Sequence, residues 1–354
     1  MAEELTVVDT DAIEFFYRQG WTDGLPIVPP TPSLTKAMFE PLELDPDTVI
    51  GEIPNRSRIL TVEKAAINAV MAGCTPDYFP IVLAGLSAML DPAFNADTAL
   101  TSTGGAALCL IISGPLVEEL DFFHLHNALG SGSRANATIG RALRLVSMNV
   151  FNARTGEFDA SSIGHPGKYS MVLAETNPPA SWPTLGTELG ASVEQNTVTV
   201  IATEGPRQIA NHLNPTPEGI LLTIAAAMKC PSTYTVGKGA EVVVVIGYEN
   251  RCALSEAGWS KSQIREFLAE HSRVSVDELD AAGILLEVDN QHNMVPDSKG
   301  LLPTVPGPES IFLVPAGGPG AGWSAYMPAW APPIHSKAVT RIVSSQGLPV
   351  LPLR

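Results

Sequence analysis

This sequence of 354 residues is poor in charge, and especially in basic charge. Charged residues make up 16% of it, and 21 lysines and arginines stand against 37 aspartates and glutamates, which gives a formal net charge of -16. A protein that binds nucleic acid needs a basic stripe, and none is visible here. We therefore expect no nucleic-acid partner. The low charge content also predicts that part of the surface is buried in a homo-oligomer.

Long apolar runs are absent too. The longest, such as AALCLII and VVVVI, have the length of a strand and fall far short of the roughly 20 residues of a membrane-spanning helix. The first residues, MAEELTVVDTDAIEFF, contain neither the basic nor the apolar segment of a secretory signal. We therefore expect a cytoplasmic protein with no membrane partner.

Cofactor motifs are absent as well. The cysteines, which are Cys74, Cys109, Cys230 and Cys252, show no CxxC spacing, and this argues against a zinc ribbon or a redox dithiol. The chain has no GxxxxGKS/T phosphate loop and no GxSxG or HExxH motif. The run GGPGAG differs from the dinucleotide-binding pattern, because Pro319 removes one N–H group and no acidic residue follows at the expected spacing. The cofactor is therefore unknown: no nucleotide is indicated, and a divalent metal is left open.

Apolar sequence, by contrast, is plentiful, since 45% of the residues are hydrophobic. Three β-rich runs end in Gly-Pro, namely ALCLIISGP, TVTVIATEGP and SIFLVPAGGP, and a fourth, EVVVVIGYE, leads into a helical pattern. Strands rich in Val and Ile that alternate with helices indicate a sheet buried on both faces. We predict an α/β fold of several strand–loop–helix units around buried sheets, arranged in two lobes.

The predicted organisation has three parts. Residues 1–30 form an N-terminal helix and an extended proline-rich arm, residues 31–175 a first α/β lobe and residues 197–354 a second, with the boundary in the stretch 176–196. A serine followed by arginine or lysine recurs at the predicted helix starts GSRANATIGRAL, WSKSQIREFL and HSKAVTRIV. This recurrence has two explanations, an ancient duplication or the general preference for serine at helix N-caps.

The first candidate site is FFHLHNALGSGSRAN, residues 122–136. On a strand, His124 and His126 would share one face and could provide two ligands for zinc or iron. The remaining ligands would come from more distant side chains: His165, His212, His335, Glu175 and Glu204. The loop and helix start that follow offer polar groups suited to a carboxylate or phosphate, namely Asn127, Ser133, Arg134 and Asn136. The alternatives are that His124 packs in the core and that Arg134 lies in solvent.

The second candidate site is SSIGHPGKYSMVLAE, residues 161–175, where glycine and proline shape a loop around polar side chains. His165 is a candidate general acid or base, because histidine titrates near neutrality. Lys168 would neutralise a substrate carboxylate or form a Schiff base, unless it is simply solvated. Glu175 would add a carboxylate to the substrate site.

Two further candidates lie outside these clusters. In AGGPGAGWSAYMPAWAPPIHSKAV, residues 316–339, the glycines would let the backbone approach a ligand, and His335 and Lys337 would bind the substrate at the start of a final helix. The aromatic residues of this stretch would line a pocket or pack in the core. Cys74 directly precedes a predicted helix start at Thr75, where the helix dipole would favour a nucleophilic thiolate. Burial is the alternative for this cysteine.

Four stretches together resemble a largely uncharacterised bacterial family: GWTDGLPIVPPT, VEKAAINAVMAGCTPDYFPIVLA, HNALGSGSRANATIGRALRLV and GHPGKYS. The sequence is similar there to the N-terminal portion of the UGSC (seleno)proteins, in which a related segment accompanies a U/C-G-S-C redox domain. The resemblance covers most of residues 15–175 and the tail 311–343. This chain has no Cys-Gly-Ser-Cys, so a thiol-redox role does not carry over directly. The shared motifs include Cys74, His126, Asn127, Arg134, Asn136, His165 and Lys168.

Three functional hypotheses follow. The first is a hydrolase or lyase acting on a small polar or carboxylated metabolite, with His126, His165, Cys74 and Lys168 as catalytic residues and a metal site at His124, His126 and His165 as its variant. The second is a reductase-type component that uses the Cys74 thiolate with a thiol or selenol partner. The third is a non-catalytic protein that binds a small molecule.

Overall fold

The structure is a computed structural model that describes residues 12–176, 178–230, 235, 236, 238–284, 294–346 and 348. Its helices are α1 (Ala12–Arg18), α2 (Pro32–Phe39), α3 (Val62–Ala72), α4 (Phe79–Met89), α5 (Ala96–Thr101), α6 (Leu116–Glu119), α7 (Arg134–Asn149), α8 (Leu185–Glu188), α9 (Pro217–Met228), α10 (Tyr248–Glu256), α11 (Lys261–His271) and α12 (Val276–Ala281). Its strands are β1 (Val49–Ile53), β2 (Arg58–Thr61), β3 (Ala107–Ser113), β4 (Met171–Ala174), β5 (Thr197–Thr203), β6 (Arg207–Ala210), β7 (Val242–Ile246), β8 (Arg273–Ser275), β9 (Leu301–Pro303), β10 (Ile311–Pro315), β11 (Trp323–Pro328) and β12 (Val339–Ile342).

The strands confirm the predicted α/β class. Two four-stranded sheets carry the fold: the first has the order β12-β5-β3-β4 and the second the order β10-β7-β11-β6. Two short antiparallel pairs, β1–β2 and β8–β9, complete the strand inventory of the described residues. In the described part of the chain, none of the helices combines the length and the apolar character that crossing a membrane requires.

Both faces of each sheet are buried, as the Val/Ile-rich strands predict. In β3, Leu110 and Ile112 pack against the helices that include α4 and α7, whereas Cys109 and Ile111 face the second sheet. The same alternation occurs in β7, whose residues Val242, Val244 and Ile246 pack against α9 and α11 while Val243 and Val245 face the first sheet. The molecule is therefore built of four layers, helix–sheet–sheet–helix, with the strand period of two deciding which layer each side chain joins.

The two sheets repeat one plan. The elements α4, β3, α6, α7, β4, β5 and β6 follow the same order as α9, β7, α10, α11, β10, β11 and β12, with α5 and α8 inserted in the first set and β8, α12 and β9 in the second. The first strand of each set pairs in parallel with the second and antiparallel with the third. The last strand of each set pairs antiparallel in the sheet of the other set, β6 with β11 and β12 with β5. The repetition fits the duplication explanation of the recurring helix starts.

The exchange of last strands ties the two sets together. The N–H of Trp330 donates to the carbonyl of Ala202 at 2.8 Å, and the N–H of Glu204 donates to that of Pro328 at 3.0 Å. Strands from both sides of the boundary predicted at 176–196 share the first sheet, whereas all four strands of the second sheet follow that boundary. Residues 12–18 of the predicted N-terminal part form α1, and residues 1–11 lie outside the described chain.

The third recurring helix start is wrong. SKAVTRIV does not begin a helix, because Val339–Ile342 forms β12 and pairs with β5, Val339 opposite Val200. The hydroxyl of Ser336 donates to the carbonyl of Phe94 instead of capping a helix. The other two starts are confirmed: Ser133 caps α7 and Ser260 caps α11.

A buried carboxylate, Glu241, lies immediately before β7 and makes the stability of the fold depend on pH. Its Oε2 accepts the N–H of Ala338 at 2.7 Å, and burial raises the pKa of Glu241 from 4.5 to about 7, against the opposing effects of that bond and of Lys337. Because the folded state binds this proton more tightly than the unfolded state, the stabilising contribution is present below the ordinary pKa and is lost as pH rises through about 7.

Glu241→Gln is therefore expected to flatten the fall of stability between about pH 5 and about pH 8, by up to roughly 3 kcal/mol. Urea unfolding at the two pH values measures this, with the exposed Glu218→Gln as control. Equal pH dependence of the variant and the parent protein would refute the assignment.

Candidate functional site

Two open clefts are candidates for the site. The first cleft, of about 500 Å³, lies at the carboxyl ends of β7 and β10 and is lined by residues 125–130, 206, 208, 245, 247–249, 316–320 and 323–325. The second cleft, of about 520 Å³, lies at the end of β5 and is lined by residues 102–105, 163–165, 204, 205 and 330. The connection between β5 and β6 contributes Gly205 to the second cleft and Pro206 to the first, so it separates the two.

The glycine loop, residues 316–322, follows β10 and forms one wall of the first cleft. Its backbone approaches the loop that carries His126 so closely that a Cβ on Gly318 would lie 2.8 Å from the backbone nitrogen and from Nδ1 of His126. Only glycine leaves room for this approach. Gly317 and Gly322 have positive φ values of 99° and 56°, which glycine adopts without strain.

His126 lies on a loop, not on the strand that its alternation with His124 suggested. Its Nε2 is 2.9 Å from the carbonyl oxygen of Pro319. A carbonyl oxygen can only accept, so this contact assigns the ring proton to Nε2 and leaves a lone pair on Nδ1. Among the described residues, no hydrogen-bond partner engages Nδ1, and the side chain is exposed at the cleft. The imidazole is thus held at one nitrogen and available at the other.

Glu249, the second residue of α10, holds the glycine loop from its other side. Its carboxylate accepts the N–H of Gly320 at 2.7 Å and that of Gly322 at 3.2 Å. Burial raises the pKa of Glu249, but the backbone N–H groups that donate to it outweigh this effect and lower the pKa overall. Glu249 is therefore an anion seated in a nest of backbone donors.

His165 lines the second cleft but has both ring nitrogens engaged by backbone. Nδ1 accepts the N–H of Gly167 at 3.2 Å, and Nε2 lies 3.4 Å from the carbonyl of Thr203. Burial lowers the pKa of His165, and Lys168 lowers it further. A neutral imidazole with both nitrogens occupied fixes the 166–168 turn against β5, and it has no lone pair left for proton transfer.

Lys168 does not line either of the two clefts. Its ammonium donates to Asp159 at 2.9 Å and to the hydroxyl of Ser161 at 2.7 Å. Burial lowers the pKa of Lys168, and the hydrogen bond to Asp159 opposes that effect. With this pairing it braces the loop before β4 and is not placed to neutralise a ligand in either cleft.

Three of the predicted substrate-binding residues, Ser133, Arg134 and Asn136, contact other parts of the framework and line neither cleft. Asn136 is buried and connects Phe123 to Val172 through its side-chain amide. Arg134 donates to the carbonyl of Gly73 at 2.9 Å. Ser133 caps α7. Asn127 alone of the predicted substrate-binding residues lines the first cleft, with a φ of 59° and its side-chain amide bound to the carbonyl of Ser131.

The remaining predicted binding residues lie elsewhere. Glu175 is buried and accepts the hydroxyl of Ser113 at 2.6 Å and the N–H of Leu185 at 2.8 Å. His335 is exposed on the connection to β12, and the charge of Lys337 acts on Glu241. None of the three lines the two clefts.

The structure disfavours the predicted nucleophile role of Cys74 and favours its alternative, burial. Its thiol is buried, and desolvation raises the pKa of Cys74 to about 12, although Thr138 and the nearby arginines pull it down. The favourable end of a helix dipole is a smaller effect than removal of a thiolate from water. A buried neutral thiol at this position packs in the core.

The predicted metal set is not assembled. His124 is buried, with Nδ1 3.0 Å from the hydroxyl of Thr176 and Nε2 3.4 Å from Glu118, while His126 and His165 lie in different clefts. Among the residues that the structure describes, no three His, Cys, Asp or Glu side chains group as metal ligands. His212 instead packs edge-on against Trp323.

Glu249 is the residue that reasoning from sequence missed. The signal lay in EVVVVIGYE, where a buried strand passes through one glycine into a helix, since side chains at such junctions meet at the carboxyl edge of a sheet.

No protein-family model matches this chain, and a search of curated proteins finds no match to it either.

Gly318→Ala tests the geometry of the glycine loop. The new methyl group has no room beside His126, so we expect the bond from Nε2 to Pro319 to be lost, as seen in the ¹⁵N signals of the His126 ring. Gly320→Ala is the matched control, because its methyl group meets no atom within 4 Å and its backbone N–H remains. Ring signals of Gly318→Ala that equal those of the parent protein would contradict this geometry.

Proposed function

We propose that this protein is an enzyme that hydrolyses, hydrates or eliminates a group from a small polar metabolite, with His126 as its acid–base residue. The observation that carries the proposal is the state of that imidazole: Nε2 is fixed by a backbone carbonyl, no hydrogen-bond partner among the described residues engages Nδ1, and the residue lines a cleft of about 500 Å³. A positioned histidine with a defined tautomer is the commonest general acid–base group in enzymes.

The contacts of the other two histidines of the sequence motifs favour His126 over them. His165 has both nitrogens engaged by backbone groups, and His124 is buried between Thr176 and Glu118. Neither can exchange a proton with a ligand without first breaking a structural contact. His126 can do so through Nδ1 while its contact to Pro319 persists.

The charge of the first cleft favours an uncharged polar substrate over a carboxylate. No lysine or arginine is present among the described residues that line it, and its one carboxylate, Glu249, is engaged by the glycine loop. Uncharged groups able to hydrogen-bond a substrate come from Asn127, Gln208 and Ser324. Arg134 and Lys168, the anion-binding candidates of the sequence, are paired elsewhere.

Kinship with the N-terminal portion of the UGSC proteins belongs to this proposal. It rests on the four resembling stretches, of which HNALGSGSRANATIG contributes residues to the first cleft and GHPGKYS to the second. The redox hypothesis loses its main support with the burial of Cys74. Assembly into a homo-oligomer remains a prediction from the low charge content.

The test measures substrate turnover and also locates the residues at which the substrate binds. A defined set of small polar metabolites is incubated with the protein, and any compound that is consumed is titrated while backbone amide signals are recorded. We expect turnover, with the largest signal changes in residues 125–130 and 316–320. Changes confined to residues 102–105 and 163–165 would move the site to the second cleft and contradict the proposal. Binding at the first cleft without turnover would support the non-catalytic alternative.

A further inference from the structure

One peptide group lies between the imidazole and the carboxylate that line the first cleft. The carbonyl of Pro319 faces Nε2 of His126 at 2.9 Å, and the N–H of the next residue, Gly320, donates to Oε1 of Glu249 at 2.7 Å. The C=O and N–H belong to the same planar unit, in which a trans peptide points them in opposite directions. Glu249 and His126 therefore lie on opposite sides of a single peptide and contact its two ends.

This arrangement couples the carboxylate of Glu249 and the imidazole of His126 electrostatically, through the peptide group between them. Resonance in the peptide means that a negative charge at the N–H end increases the electron density on the carbonyl oxygen. Hydrogen bonds in a chain strengthen one another for this reason. A stronger acceptor at Pro319 favours a proton on Nε2, and it stabilises the imidazolium that forms when Nδ1 takes a second proton. A carboxylate that contacts a histidine directly does the same in hydrolase triads.

We propose that Glu249 is a positioning residue for His126 and acts through the Pro319–Gly320 peptide. The inference rests on the proposed function for its role in turnover. The geometry of the relay itself stands apart from any reaction.

A purely structural role for Glu249 is the competing explanation, since its carboxylate also holds Gly322 at 3.2 Å and so shapes the loop. Glu249→Gln separates the two. The amide oxygen of glutamine still accepts the N–H of Gly320, whereas its amide nitrogen cannot accept the N–H of Gly322, and the negative charge is gone. Glu249→Asp keeps the charge on a shorter side chain. Glu256→Gln, at the exposed last residue of the same helix, is the matched control.

The measurement is the tautomer of His126, read from the ¹⁵N shifts of its two ring nitrogens at a pH where the ring is neutral. We expect the Nε2–H form in the parent protein and in Glu256→Gln. In Glu249→Gln we expect the amide signal of Gly320 to be unchanged, that of Gly322 to move because it loses its acceptor, and the His126 ring to shift towards the mixed tautomers of a free side chain. Once a substrate is known, kcat should fall about tenfold with KM unchanged.

Two results overturn the proposal. One is a parent protein in the Nδ1–H form, and the other is a Glu249→Gln variant whose His126 ring signals equal those of the parent. If the amide signal of Gly320 also moves in Glu249→Gln, Glu249→Asp decides: it must keep the Nε2–H form, and loss of that form overturns the relay. If the relay proposal is refuted, turnover at the first cleft is unaffected. If the proposed enzymatic function is refuted, the tautomer result is unaffected.

Discussion

Replacing Lys261 by methionine is expected to destabilise the fold by roughly 3–5 kcal/mol. The ammonium of Lys261 lies 2.7 Å from Glu188 and 3.6 Å from Glu175, and it donates to the carbonyl of Pro183 at 3.0 Å. Lys261 is only 2% exposed and Glu175 only 3%. Its removal leaves the buried Glu175 without its cation, while Glu188 keeps Arg265, and the low-dielectric surroundings of Glu175 make that loss large.

The effect is large also because this ion cluster joins the two repeated sets of elements. Glu175 follows β4 of the first set, and Lys261 begins α11 of the second. Burial raises the pKa of Glu175 while Lys261 opposes that rise. Denaturant unfolding measures the loss, with the exposed Lys229→Met as a control that should change stability by less than about 0.5 kcal/mol. Equal stability of Lys261→Met and the control would show that the cluster does not hold the sets together.

Replacing His126 by glutamine is expected to reduce turnover by about 10²–10⁴-fold, the usual contribution of a positioned acid–base group. The fold should be almost unaffected, because the side chain is exposed and its contact to Pro319 is one that glutamine can also make. The measurement is kcat and KM for the substrate found in the metabolite set, together with the midpoint of thermal unfolding. A loss of turnover without a loss of stability separates chemistry from folding.

His271→Gln serves as the control for this substitution. His271 ends α11, stacks on Phe267 and lies outside both clefts. Its replacement should leave kcat within a factor of about two, which corresponds to less than 0.5 kcal/mol. If His126→Gln and His271→Gln behave alike, the acid–base role belongs to another group.

The sequence predicts the class of this fold well and its connectivity poorly. Val/Ile-rich runs such as VVVVI report burial on both faces, which is a local property of the strand. They do not report which strand pairs with which. The exchange of β6 and β12 between sheets depends on contacts between residues far apart along the chain. The prediction that SKAVTRIV begins a helix was wrong for this reason, because its serine resembles a helix cap while its β-branched residues belong to a strand that pairs with β5.

Reasoning from sequence likewise identifies some residues of the candidate site and misses others. His126 is found from sequence because glycine-rich loops with histidine commonly carry function. Glu249 is missed because its role depends on a glycine loop about 70 residues further along the chain, where the hydrogen bond to Gly320 spans 71 positions. Cys74 is overrated because a helix start is visible in sequence and the depth of burial around it is not.

The most direct test of the account is chemical rescue of the His126 site. His126→Gly removes the imidazole and leaves a gap at the edge of an open cleft, where a small base can enter from solvent. The account predicts that His126→Gly has lost turnover and that added imidazole restores a saturable part of it, while imidazole leaves the parent protein unchanged. An acid–base role for His126 would be contradicted if imidazole restored no turnover to a variant that still binds the substrate at residues 316–320.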